Sequence, residues 1–205
     1  MSVQVSYKKQ FTLGIIGILI LLLVIEAVAN VWWITQINCE FEQNEMFRDI
    51  DEDKKRQLCL DFYDLKITDN TIIPNQNLGS ITINSLGFRG HEFSEITPSN
   101  TYRILIVGGS TVFGAGATSD EATIPGYLQQ FLNEIDSEFN FEVINAGIQG
   151  ADSNTEYNLM EQKLVMFYPD LIIVYDGWND LRANNSPSKL KENWELMCKF
   201  GKENN

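Results

Sequence analysis

The sequence predicts an α/β protein: a parallel sheet covered by helices on both faces, a three-layer α/β/α sandwich, preceded by one transmembrane helix. Three observations carry this. Three segments, "RILIV" (103–107), "FEVIN" (141–145) and "LIIVY" (171–175), are near-continuous apolar runs, the mark of strands buried on both faces. They alternate with stretches whose apolar residues recur at helical spacing, the order that produces βαβ units. Ahead of them lies "FTLGIIGILILLLVIEAVANVWWI" (11–34), whose only charge is Glu26.

A helix of that length spans ~30 Å of hydrocarbon. Lys8 and Lys9 precede it, and Glu40, Glu42, Glu45, Asp49, Asp51, Glu52 and Asp53 follow, with Arg48 the single base among them. The charge bias puts residues 1–10 in the cytoplasm and the remainder outside the cell membrane. Trp32 and Trp33 suit the outer interfacial belt, and Glu26 reads as a headgroup-level carboxylate. The competing reading is a cleaved signal peptide, because Ala27-Val28-Ala29 has the small-x-small form; continuation of the apolar run into "NVWWI" favours an anchor. Either way the following domain is exported.

Residues 35–65 are charge-rich and read as a stalk. Residues 66–100, punctuated by Pro74, Asn75, Gly79 and "NSLGFRG", read as an arm of hairpins and turns. The regular α/β pattern occupies 101–205. Its first helix, "TIPGYLQQFLNEI", takes Thr123 as N-cap and sets Ile124, Leu128, Phe131, Leu132 and Ile135 at helical spacing. The second opens on Ser153-Asn154-Thr155-Glu156, a capping-box pattern, and carries Tyr157, Met160, Leu164 and Phe167. The third, "SKLKENWELMCKF", turns Leu190, Trp194 and Met197 inward.

The formal net charge of -13 argues against nucleic acid as a partner. Cys39, Cys59 and Cys198 lie beyond the apolar segment, where a disulfide is permitted, and Cys39 with Cys59 is the most plausible pair. Their spacing matches no metal-ligand pattern and His91 is the sole histidine, so neither a metal nor another cofactor is called for. Asn184-Asn185-Ser186 is a glycosylation sequon by pattern only.

In open α/β sheets ligands bind beyond the carboxyl ends of the strands. There the sequence places Gly108-Gly109-Ser110, then Asn145-Ala146-Gly147, then Asp176-Gly177-Trp178-Asn179-Asp180. A phosphate-binding loop would need a lysine where Ala115 stands, and no G-x-G-x-x-G spacing occurs among Gly108, Gly109, Gly114 and Gly116. Serine chemistry accounts for all three loops: Ser110 as nucleophile, with the Gly147 amide and the Asn179 side chain as donors to an oxyanion.

At these residues the chain resembles the SGNH or GDSL hydrolase family. "VGGSTVFG" is similar to its first block, with Gly109 where many members have Asp; "NAGIQG" is similar to the second and "DGWND" to the third. The resemblance implies a flavodoxin-like fold and an ester hydrolase in which Ser110, Gly147 and Asn179 are the catalytic residues. Its implied substrates are acylated carbohydrates or lipids. The family's fourth block, Asp-x-x-His, has no counterpart, and His91 precedes the serine on the arm. Two readings follow: the front portion of a longer hydrolase, whose histidine and further strands lie beyond residue 205, or an inactive protein that binds an acyl or glycan ligand or pairs with a second chain that completes the sheet. A glycan O-acyltransferase would share the same serine.

Overall fold

The computed structural model describes residues 6–36, 44–68, 71–135, 137–183 and 185–204. The chain divides into two compact units, Met1–Asp49 and Ile50–Asn205. The first is dominated by α1 (Tyr7–Gln36). Among the described residues α1 is the one helix long and apolar enough to cross a membrane, and nothing in its own unit buries that apolar surface.

The second unit is built on a three-stranded parallel sheet. β5 (Thr101–Gly108) lies between β6 (Asn140–Gly147) and β7 (Leu171–Tyr175). Four two-residue strands precede it, β1 (Ile67–Thr68) with β2 (Thr71–Ile72) and β3 (Gln76–Asn77) with β4 (Thr82–Ile83), forming the expected hairpins. β5 is apolar on both faces because both are covered. Leu105 and Val107 pack with Met160, Leu164 and Phe167 from α5 (Ser153–Gln162) and the 3-10 turn after it, and with Met197 from α7 (Pro187–Glu203). Ile104 and Ile106 pack with Val112 and with Leu128 and Leu132 of α4 (Ile124–Asn133). The expected helix–sheet–helix layering is therefore present.

The two sheet edges differ. Along β6, Gln129 of α4 accepts from the Val143 amide at 2.7 Å and donates to the Phe141 carbonyl at 2.9 Å, while Arg89 of the arm bridges to Asn145. A glutamine and an arm segment thus occupy backbone groups that would otherwise template another strand. No strand among the described residues pairs with the outer edge of β7, whose Leu171 and Tyr175 are exposed.

Several local expectations change. Within the stretch read as a stalk lies α2 (Glu52–Asp64), capped by Asp51, in the same compact unit as the sheet. Its Asp61 carboxylate accepts from both the Ser80 amide (2.8 Å) and hydroxyl (2.6 Å), docking α2 onto the β3–β4 hairpin. Thr123 caps α4 as expected, accepting from the Gly126 amide at 3.1 Å. The capping box at Ser153 does not form: Asp152 is the N-cap, accepting from the amide and hydroxyl of Thr155. Ser153 Oγ is instead drawn to Asp180, and Glu156 is buried. Leu128 and Leu132 face the sheet, but Ile124, Phe131 and Ile135 are exposed; on α7, Met197 is buried and Trp194 is 41 % exposed. Cys59 is disulfide-bonded and Cys198 is free, whereas Cys39 and Asn184 lie outside the described residues.

Candidate active site

Strand register sets the site. Gly108 pairs with Gly147 on one side and Tyr175 on the other, so all three strands finish in one row and their loops leave from the same edge. After β5 the chain passes through Gly109 and turns into a single helical turn, α3 (Ser110–Phe113). Gly114, at φ +89°, closes it, its amide donating to the Ser110 carbonyl at 2.9 Å. Ser110 therefore stands at the first position of a turn fixed at both ends by glycine.

The loop after β7 becomes α6 (Trp178–Arg182). Asn179 Nδ2 donates to the Ala151 carbonyl at 2.6 Å, which leaves a second N–H on the same nitrogen. Asp180 anchors the loop. It accepts from the Ser153 amide (2.9 Å), the Ser153 hydroxyl (2.6 Å) and Asn185 Nδ2 (3.1 Å), and Asn193 of α7 bonds the same hydroxyl at 2.8 Å. Burial pushes the Asp180 carboxyl up, but the hydrogen bonds from Ser153 and Asn185 outweigh it and hold the group below the usual carboxylate range.

Gly109 is where the two loops meet. A Cβ there would sit 2.5 Å from Asn179 Nδ2 and 3.6 Å from Asp176 Oδ1. Glycine is therefore required by close approach, and Gly109→Ala is expected to displace Asn179 and destabilise the unit by about 1–3 kcal/mol. Urea unfolding measures that cost, and an unchanged midpoint would show that the loops yield freely. A cavity of about 180 Å³ is lined by Gly109, Ser110, Thr111, Tyr175, Asp176, Trp178 and Asn179. Two of the three candidate residues, Ser110 and Asn179, share it.

Gly147 does not line this cavity. Its amide already donates to Asn145 Oδ1 at 3.0 Å, and a Cβ on it would lie 2.2 Å from the Phe113 nitrogen. It serves the close packing of α3 on β6. Three residues on, Gly150 is exposed at φ +77° with open space around its Cβ position, next to the Ala151 carbonyl that Asn179 bonds. Its amide has no partner among the described residues. "NAGIQG" contains both glycines, and neither lines the cavity.

Two further groups were given no role by the motif blocks, though Asp176 opens the third of them. Asp176 lines the cavity, and its Oδ2 is buried without a hydrogen-bond donor. Behind it Glu156 is 1 % exposed, both of its oxygens likewise undonated. Burial, then the charge of Asp176 and the contact with it, raise Glu156 to about 10, with Asp180 and Asp152 adding repulsion. Burial also raises Asp176, to about 6, with Asp180 adding to the rise while the Gly177 amide and Glu156 oppose it. At neutral pH Glu156 is thus a neutral acid and Asp176 a carboxylate. His91 is elsewhere: its side chain is 88 % exposed, 3.4 Å from Glu121, on a separate cavity of about 310 Å³ shared with Arg89. Among the described residues no group of acidic, histidine and cysteine side chains is arranged to hold a metal ion.

No family model matches the chain, and no curated protein does. Among solved structures it is similar to AlinE4, described as an SGNH-hydrolase family esterase, and to two point variants of that esterase. Each comparison gives 24 % identity and a TM-score of 0.41, over 50 % of this chain and 54 % of the other. The chain spans about half the length of that esterase.

Proposed function

We propose that residues 50–205 carry a serine acyl-transfer site that cleaves esters, with Ser110 as nucleophile. The observation that carries this reading is the single cavity shared by Ser110 and Asn179 at the level ends of β5 and β7. Attack by Ser110 Oγ on an ester carbonyl forms a bond to carbon and puts charge on the carbonyl oxygen. The Asn179 side chain and the Ser110 amide are the donors for that charge, and Gly150, whose amide is unspent, replaces Gly147 as the third. The substrate class is an acylated carbohydrate or lipid, met outside the membrane that α1 anchors. By the family pattern a histidine from sequence outside these residues would serve as base.

The experiment is covalent labelling with a fluorophosphonate, which reacts through the same attack, in the presence of a high concentration of imidazole as a diffusible base. Ser110→Ala is expected to remove the label. Label that persists in Ser110→Ala would place the reactive group elsewhere.

A further inference from the structure

We propose that Trp178 and Tyr175 form a platform for a sugar ring of the substrate, so that the ester cleaved beside Ser110 belongs to an acylated carbohydrate and not to a lipid. This rests on the reading of Ser110 as nucleophile and goes beyond it by choosing between the two substrate classes and naming the residues that choose.

Both aromatic residues flank the serine. Tyr175 ends β7 opposite Gly108, which stands two residues before Ser110, and Trp178 immediately precedes Asn179 on α6. Both line the cavity of about 180 Å³ that holds Ser110. The frame that carries Trp178 is fixed: Gly177, at φ +131°, makes the bend into α6, Asn179 bonds the Ala151 carbonyl at 2.6 Å, and Asp180 is held by Ser153 and Asn185. The side chains themselves are open to solvent, Trp178 at 71 % and Tyr175 at 58 %. An aromatic ring stabilises a fold through the area it buries, so a tryptophan left this bare on an anchored loop contributes little to folding.

Indole and phenol each join an apolar face to one polar tip, which suits a contact that is apolar on one side and wet on the other. A pyranose ring is built the same way, with a face of C–H groups that lies on an aromatic ring and a rim of hydroxyls that needs hydrogen-bonding partners. The cavity wall supplies such partners in the Thr111 hydroxyl and the Asp176 carboxylate. An alkyl chain laid in the same place would cover these polar groups without returning a hydrogen bond, at a cost for each. Size points the same way. Pockets that enclose a drug-sized ligand measure roughly 300–1,000 Å³. This smaller cavity takes a short acyl group at the serine, with the sugar ring on the two aromatic faces and the rest of a glycan in solvent.

The test measures labelling rates for fluorophosphonates that share one reactive head and differ in the attached group: methyl, decyl, glucosyl, galactosyl and mannosyl. The whole chain is used, with imidazole as the diffusible base. At least one glycosyl probe is expected to label the wild-type chain about 10-fold faster than the methyl probe. Trp178→Ala and Tyr175→Ala should each lower that ratio by about 5-fold or more, and Trp178→Phe, which keeps a ring, should retain most of it. Glycosyl probes that label the wild-type chain no faster than the methyl probe, or a ratio that neither alanine variant lowers, overturn the platform. A preference for the decyl probe that falls in the same variants overturns the sugar and makes the surface one for lipid chains. Each of these results leaves Ser110 as nucleophile. A wild-type chain that no probe labels overturns the nucleophile reading and the platform with it.

Discussion

Arg89→Met is expected to destabilise the 50–205 unit by about 3–5 kcal/mol, the cost of breaking a buried ion pair and leaving its partners unmatched. The Arg89 side chain is 1 % exposed. Its Nε donates to Asp120 Oδ1 at 2.7 Å; Nη1 donates to the carbonyls of Phe113 (3.0 Å) and Gly114 (2.8 Å); Nη2 donates to those of Ser80 (2.7 Å) and Ser119 (3.3 Å). The guanidinium also lies 5.0 Å from the Phe113 ring centroid. Carbonyls at the end of a helical turn have no partner within the turn, and for α3 this arginine supplies them. One residue of the arm thus ties a β3–β4 carbonyl to the turn that bears Ser110. Burial lowers the Arg89 pKa, with Asp120 opposing, yet a guanidinium stays charged across the accessible pH range. Methionine keeps much of the volume and makes none of the five bonds. Arg89→Lys should recover less than half of the loss, because a point-like ammonium cannot span four carbonyls and a carboxylate. Urea midpoints for the three proteins decide this: a loss below about 1 kcal/mol for Arg89→Met would mean that water replaces the guanidinium at little cost.

The parts of this architecture that depend on local pattern were legible in the sequence, and those that depend on distant partners were not. "RILIV" read as a buried strand because its own composition demands two covers; "LIIVY" read as a strand for the same reason, but it is exposed at both ends and only half-buried between; and Thr123 read as a cap because its partner is three residues away. The level ends of the three strands, and hence the meeting of Ser110 and Asn179, followed from the α/β order. Ser153 misled because Asp180, 27 residues away, claims its hydroxyl, and Asp152 then takes the cap. Helix α2 looked like a solvated stalk because its composition is charged; what docks it is the burial of Leu58 and Cys59 together with one carboxylate, Asp61, on Ser80. Gly147 and Gly150 are equal as letters. Only the Asn145 side chain, which consumes the Gly147 amide, separates a packing glycine from an available donor. Asp176 and Glu156 were invisible because a carboxylate in "DGWND" and another in a helix's first turn each have an ordinary solvent-facing role; burial together removes it.

Glu156→Gln is expected to stabilise the protein, by an amount that grows with pH. The Glu156 carboxyl titrates at about 10 in the folded chain against an ordinary 4.5. Below pH 4.5 it is protonated in both states and the variant gains nothing on this account. As pH rises above that, the unfolded chain releases the proton while the folded chain keeps it, so wild-type stability falls steadily until the folded group itself titrates near 10. At pH 7 the accumulated difference is about 3 kcal/mol. Glutamine has no proton to lose, and its amide still donates to Asp176. Asp176 shifts in the same direction, from 3.8 to about 6, and adds its own loss across that window in both proteins, so it cancels from the comparison. Urea unfolding of the two proteins at pH 4, 7 and 9 measures the effect, with curves that converge at acid pH and separate as pH rises. A stability difference that stays constant across that range would show that Glu156 ionises alike in the folded and unfolded chain.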